Sequence, residues 1–286
     1  MPLCTLHLVS LHDKTPNSIL TFLSTSKSAK LSPLVVSRVI RWIILPSKLS
    51  TEHLLARNIQ WDLLIVVPRT GALPTEVQKL VRHQWSVTAG VPSRLVQDFS
   101  TKNDQLLHAD KSTLPAIQEK NNKTTDSSQS LELSDELNEW IKTFVNTGSK
   151  AGKGAVSMFN LLAFNPGMKE EYLKYGAAFA KSIGSKHGGN AKIVGNVTHV
   201  NGSMITKAET GTGMNVKVDG GVANWDEIAL AHYPSILHFR NMLASEDYQE
   251  VNQRHRLPSL RDTCILMTSE IAVEELLSEV KGGAKL

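Results

Sequence analysis

The hydrophobic positions of the C-terminal half fall into a regular succession. The apolar run from Ala155 to Phe164 is bounded by glycines before it and by Asn165-Pro166-Gly167 after it, the pattern of a buried strand. Met168, Tyr172, Tyr175, Phe179 and Ile183 then recur at helical spacing, with Glu170 four residues before Lys174 and Gly188-Gly189 as the stop, which predicts an amphipathic helix. Ala191 to Val200 reads as a second strand, Asn201 to Asn224 as a Gly-rich extended loop or ribbon, and Glu227 to Tyr233 as a third strand. Pro234 opens a helix with Ile236, Phe239 and Leu243 on one face. Ser245 restarts a helical segment carrying Tyr248, Val251 and His255, and Thr263 to Thr268 closes the set as a fourth strand.

The order β-α-β-β-α-β is that of a ferredoxin-like unit, whose antiparallel sheet has two helices on one face and leaves the other face to be buried. The N-terminal half supplies a partner. Strands are predicted at Cys4 to Leu11, Leu34 to Leu45, Asp62 to Val67 and Arg94 to Phe99, with helices starting near Pro16 and Pro74. Trp61-Asp62 before the third strand and Pro68 after it echo Trp225-Asp226 and Pro234, so this half reads as a diverged second copy. The expected class is α+β: tandem ferredoxin-like units paired within one chain. Thr101 to Gln129 is rich in Lys, Asn, Ser, Thr and Asp and too poor in apolar residues to offset the entropy of ordering, so residues 101–150 read as a mobile linker. A short helix from Ser134 to Phe144 interrupts it, with Ser134 as cap and Leu137, Trp140, Ile141 and Phe144 as its apolar face. The divisions are 1–100 for the first half, 101–150 for the linker, 151–272 for the second half and 273–286 for a helix end and flexible tail.

Composition narrows the function classes. A chain of 286 residues, 41% hydrophobic, gives each half enough material for its own core. No apolar run approaches the roughly 20 residues of a membrane span. The net charge of +4 is spread among acidic residues without the clustered Lys/Arg stripe of a nucleic-acid surface. Cys4 and Cys264 lie in predicted buried strands, no CxxC or Cys/His spacing offers a metal site, and the N-terminus reads as a strand instead of an export signal. The sequons at Asn122, Asn196 and Asn201 are then chance matches. No phosphate loop, GxGxxG, GxSxG or HExxH is present, so no cofactor is expected. The C-terminal Ala284-Lys285-Leu286 is similar to the Ser-Lys-Leu peroxisomal address, which makes the expected location cytoplasmic or peroxisomal.

The C-terminal motifs, taken together, resemble the DUF1330 family. They are Phe159-Asn160-Leu161-Leu162-Ala163-Phe164, Tyr172-Leu173-Lys174-Tyr175-Gly176, Gly188-Gly189, Trp225-Asp226-Glu227-Ile228-Ala229-Leu230, Tyr233-Pro234-Ser235, Tyr248-Gln249 and His255-Arg256, in the family's own order. The resemblance covers roughly the C-terminal 120 residues and implies a dimeric α/β barrel, a superfamily that includes cofactor-independent monooxygenases, polyketide cyclases, isomerases and decarboxylases. It implies no agreed reaction. The N-terminal half and the insertion after the second strand depart from the family's single short domain. The family's homodimer is therefore set against a monomer with an internal pseudo-dimer.

Several polar residues of the C-terminal half are candidates for chemistry. His232, with a near-neutral ordinary pKa in an apolar strand, is a candidate acid or base, or else a hydrogen-bonded strand-end histidine. Asn160 in mid-strand needs a partner, backbone or ligand. Tyr175 and Tyr172 share a helical stripe with Met168 and Phe179, so each is core packing or a phenol donor, and Tyr233 closes the third strand beside them. His255 and Arg256 either anchor an anionic or enolate oxygen or brace the last helix. The leading expectation is a cofactor-independent cyclase, isomerase or lyase of secondary metabolism, with His232, Asn160 and Tyr175 catalytic and Tyr172, Tyr233, His255 and Arg256 binding a small-molecule substrate. The alternatives are a non-catalytic metabolite-binding or interaction protein, and a cofactor-free or heme-linked oxygenase.

Overall fold

The computed structural model describes residues 1–117, 124–205, 217, 218, 221, 222 and 224–283. Strands β1 (Leu3–Leu11), β2 (Val35–Ile44), β3 (Leu63–Val67) and β4 (Val81–Gly90) belong to the N-terminal half. Strands β5 (Val156–Phe164), β6 (Asn190–Val200), β7 (Glu227–Tyr233) and β8 (Leu260–Ser269) belong to the C-terminal half. They pair in the order β7-β5-β8-β2-β3-β1-β4-β6, and β6 pairs back onto β7, so the sheet closes into a barrel. All of these pairings are antiparallel. A two-residue strand, Ser203–Met204, continues β6 as a hairpin.

Each half has the ferredoxin-like order, fourth strand, first, third, second. The two seams join the fourth strand of one half to the second of the other, β8 to β2 and β4 to β6. The expected tandem, internally paired architecture is therefore the fold. Closure also explains why the chain tolerates such apolar strands, since a barrel leaves no unpaired edge to template aggregation.

Strand alternation sorts the side chains. Leu6, Leu8, Leu64, Val66, Trp85, Val87, Phe159, Leu161, Ile228, Leu230, Cys264 and Leu266 point inward and form one core spanning both halves. On the outside, Val9, Leu11, Leu63, Ile65 and Val67 pack under helix Pro16–Ser28, whose Ile19 and Phe22 are buried. Val156, Met158, Tyr233 and Met267 pack under the C-terminal helices through Phe179, Ile183, Ile236, Phe239 and Tyr248.

One predicted strand is corrected. Arg94 to Phe99 is not a strand: Ser93–Val96 is a helical turn and Phe99 opens a helix running to Leu107. The fourth strand is Val81–Gly90, whose outer end carries Arg82, His83 and Gln84 in weakly buried positions, so its apolar signal is confined to Trp85, Val87 and Ala89. The helix near Pro74 is the single turn Thr75–Gln78. Between the halves lie helix Phe99–Leu107, the turn Lys111–Thr113 and helix Asp135–Asn146. The expected cap on the last of these is present, Leu137 N–H donating to Ser134 Oγ at 3.2 Å. Residues 118–123 of the linker, most of the Gly-rich 201–224 segment and Ala284-Lys285-Leu286 lie outside the described residues. No helix among the described residues is long and apolar enough to cross a membrane.

Helix Phe99–Leu107 is tied to the C-terminal half by buried charge. Lys192 is the extra residue of a bulge in β6, where Ile193 faces Leu230 and Ala191 faces Ala231. Its ammonium pairs with Glu270 Oε1 and donates to Asn103 Oδ1 at 2.9 Å, while Asn103 Nδ2 donates to Glu270 Oε2 at 2.7 Å.

Candidate functional site

The β7–β5 ladder has regular register, Glu227 opposite Leu162, Ala229 opposite Asn160, Tyr233 opposite Val156. Residues 227, 229, 231 and 233 therefore share the outer face with 160 and 162, whereas His232 shares the inner face with its partner Ser157. His232 is thus separated from Asn160 and Tyr175 by the sheet itself. It is buried, its Nδ1 has no partner, and its pKa is lowered to about 3 by burial, by the Lys192 charge and by His238. A neutral imidazole sealed in the barrel cannot share a substrate with Asn160, so the predicted trio is not assembled.

The other predicted residues do gather on the outer face. Helix Lys169–Ala178 carries Tyr172 and Tyr175 one turn apart, and their rings pack in a tilted series with Phe164 and Phe179, at 5.0 Å from Phe164 to Tyr172, 5.4 Å from Tyr172 to Tyr175 and 6.3 Å from Tyr175 to Phe179. The Tyr175 hydroxyl lies 3.4 Å from that of Tyr248, on helix Glu246–Val251. Both helices then widen into π-turns, Phe179–Ile183 and Asn252–Arg256, a distortion common at functional sites. The second of these turns Arg256 inward, with its guanidinium over the sheet beside Thr263 of β8, and the charge is close enough to bear on Tyr172, Tyr233 and Tyr248. Burial holds all three phenols well above their ordinary pKa, so they are neutral donors. Tyr233 spends its hydroxyl on Met242 Sδ at 3.2 Å and packs edge-on against Phe239, a core role. His255 Nδ1 sits 2.5 Å from Glu171 Oε1, which braces the π-turn against the helix at the rim.

Beneath these helices Asn160, Val194, Ala229 and Ala231 face the helical layer in mid-strand and are only partly buried, the side chains at 229 and 231 being small. Asn160 Nδ2 donates to Met158 O at 2.8 Å, which leaves Oδ1 as an acceptor. At the start of β7 on the same face, Glu227 is 8% exposed and its pKa is raised to about 7, chiefly by burial, with Lys169 opposing and Asp226 adding to the shift. Lys169 Nζ stands 3.9 Å from Glu227 Oε2 and donates to Asn196 Oδ1 at 2.6 Å. Glu227 was not among the residues singled out from the sequence. Its signal was parity: it occupies the same phase of β7 as Tyr233, the helix-covered face, where an acidic residue is out of place. Among the described residues no group of three or more His, Cys, Asp or Glu side chains could hold a metal.

No family model matches the chain, and no curated protein does. The resemblance to DUF1330 therefore rests on its motifs. Among solved structures, a Rhodopseudomonas palustris protein of unknown function aligns at 21% identity and a TM-score of 0.30, over 45% of this chain and 89% of its own. The methylated form of that protein aligns at 18% and 0.33, over 48% and 90%. A candidate monooxygenase from Lactobacillus acidophilus aligns at 8% and 0.39, over 94% of this chain and 93% of its own.

Proposed function

We propose that this protein is a small-molecule enzyme that moves a proton at an enolisable carbon, without a cofactor, on the outer sheet face of its C-terminal half. The observation that carries the reading is Glu227, a buried carboxyl with a pKa of about 7 on the same sheet face as the partly buried Asn160, Ala229 and Ala231. A general acid or base works best when its pKa lies near the operating pH, and such perturbed groups concentrate at functional sites. In this reading the Glu227 carboxylate takes the proton from the carbon next to a carbonyl. The C–H pair moves into the new C=C bond, and the carbonyl π pair moves onto oxygen. The Tyr175 hydroxyl on the helix above holds that developing enolate oxygen, while Asn160 Oδ1 accepts from a substrate hydroxyl and fixes its orientation. Return of the proton to another carbon gives an isomerase; expulsion of a leaving group gives a lyase. Either outcome is redox-neutral. DUF1330 membership, suggested by the motifs, is compatible with this assignment.

The test is solvent deuterium exchange. A panel of small 2-oxo and 3-oxo compounds is incubated with the protein in D2O, and protein-dependent loss of the α-proton signal is followed by NMR. Glu227→Gln, shown folded by near-ultraviolet circular dichroism, should slow exchange by roughly 10²- to 10⁴-fold. Undiminished exchange by this variant removes Glu227 from the reaction. Binding without exchange across the panel makes the protein a metabolite carrier.

A further inference from the structure

The strongest unexplained feature is the charge of Arg256. The residue is 1% exposed, its Nη1 has no hydrogen-bond partner, and its Nη2 reaches only Thr263 Oγ1 at 3.4 Å. That hydroxyl already donates to Leu161 O at 3.0 Å. A guanidinium does not give up its proton, and an uncompensated buried charge costs several kcal/mol. The acidic side chains around this layer are committed elsewhere: Glu171 to Lys174 and His255, Asp247 to Lys186, Glu250 to Arg254, and Asp262 to the backbone N–H groups of Ser47, Lys48 and Leu49. Glu227 pairs with Lys169. Among the described residues no carboxylate pairs with Arg256. The tyrosines near it are neutral phenols that solvate a cation without cancelling it.

We infer that the missing counter-charge arrives with the ligand, and that this face takes a small carboxylate with a flat, unsaturated body, its carboxylate on Arg256 and its body against the partly exposed Tyr175 ring and the Ala229–Ala231 stretch of the sheet. This deepens the preceding reading by naming the substrate class. Arg fits the task because its planar fork can meet both carboxylate oxygens, and the aromatic walls offer faces and edges to an unsaturated skeleton. The enolisable group would sit at the far end, toward Glu227.

The probes are benzoate and trans-cinnamate against their primary amides, titrated calorimetrically into the parent protein and the Arg256→Met variant. The parent is expected to bind each acid roughly 10- to 100-fold more tightly than its amide, the range for a lost charge-assisted bond. In Arg256→Met that preference should vanish. A second readout is independent of any ligand: replacing an unpaired buried cation by an apolar side chain of similar length should leave the melting temperature of the ligand-free protein unchanged or higher. If Arg256 is instead a structural brace, melting temperature falls and the acids bind the folded variant as before, and the inference is overturned. Equal affinity of the parent for acids and amides overturns it as well. Its failure is separable from that of the proton-transfer reading. Arg256-dependent binding of acids without any deuterium exchange keeps the charge assignment and removes the chemistry. Exchange of keto acids that is unchanged in Arg256→Met does the reverse.

Discussion

Asp62 and Asp226 do the same work in the two halves. Asp62 Oδ2 accepts the backbone N–H of Leu11 at 2.7 Å, and Asp226 Oδ2 accepts that of Phe164 at 2.7 Å, each the last residue of its half's first strand. Their own N–H groups donate to Val9 O and Leu162 O, and their carbonyls accept from Val39 and Val197. The tryptophan before each is buried, Trp61 Nε1 donating to Leu54 O within the first half and Trp225 Nε1 donating across to Ser50 Oγ of the first half. Asp226→Ala removes the acceptor and strands the buried Phe164 N–H, which should cost about 1–3 kcal/mol. Asp226→Asn keeps an oxygen at the position and should cost less. Urea unfolding of the three proteins gives the order, and equal loss in both variants would show that the carboxylate acts by its charge.

Glu227 predicts a pH signature. Its folded pKa, about 7, lies above its ordinary value of 4.5, so between those values the native state holds a proton that the unfolded chain releases. Stability from this group is complete below about 4.5 and declines as pH rises toward about 7. The decline is on the order of 3 kcal/mol at most. Glu227→Gln cannot ionise and should be more stable relative to the parent at pH 8 than at pH 4.5. A difference between the two proteins that stays constant over that range would place the carboxyl in a solvated environment.

The Lys192–Glu270–Asn103 cluster should behave as a unit. Lys192→Met alone leaves Glu270 buried without its cation, a loss of about 3–5 kcal/mol, whereas Lys192→Met with Glu270→Leu should recover most of it. A double-mutant cycle measures the coupling. Additive losses would show that the two side chains do not compensate one another.

Gly195 tests the seam between the halves. A Cβ there would come within 2.7 Å of Gly90 O and 3.1 Å of Ala89 Cβ, at the junction of β4 and β6. Gly195→Ala should therefore destabilise by about 1–3 kcal/mol, as overpacking does, and should speed hydrogen exchange at Thr88 to Gly90 ahead of the rest of the barrel. Exchange that rises uniformly would mean that the seam does not open separately.

The legible part of this molecule was the part written in hydrophobic period. Seven of the eight barrel strands were visible because their apolar runs are bounded by Pro, Gly, Asn or charged residues, and β4 was not because Arg82, His83 and Gln84 hide its beginning. Helical spacing put Tyr172 and Tyr175 on one stripe, and the structure keeps them there. The placement of His232 against Asn160 depends on register between two strands nearly seventy residues apart, and no local pattern supplies that. In the first half His7, opposite Ile65, is the counterpart of Asn160, opposite Ala229. It is buried, its Nδ1 is 3.1 Å from Gln84 Nε2, and its pKa is lowered to about 4 by burial and Arg69.

The His7 and Asn160 pair shows what joining two copies in one chain makes available. In a homodimer each substitution is inherited by both subunits, so a change that suits one surface is imposed on its mate. Here one copy has His7 and Ile65 where the other has Asn160 and Ala229, so the two outer faces have diverged independently. Because the two copies are tethered, the ring closes at a rate and with a strength that do not depend on how much protein is present. A dilution series should therefore leave its unfolding midpoint where it was.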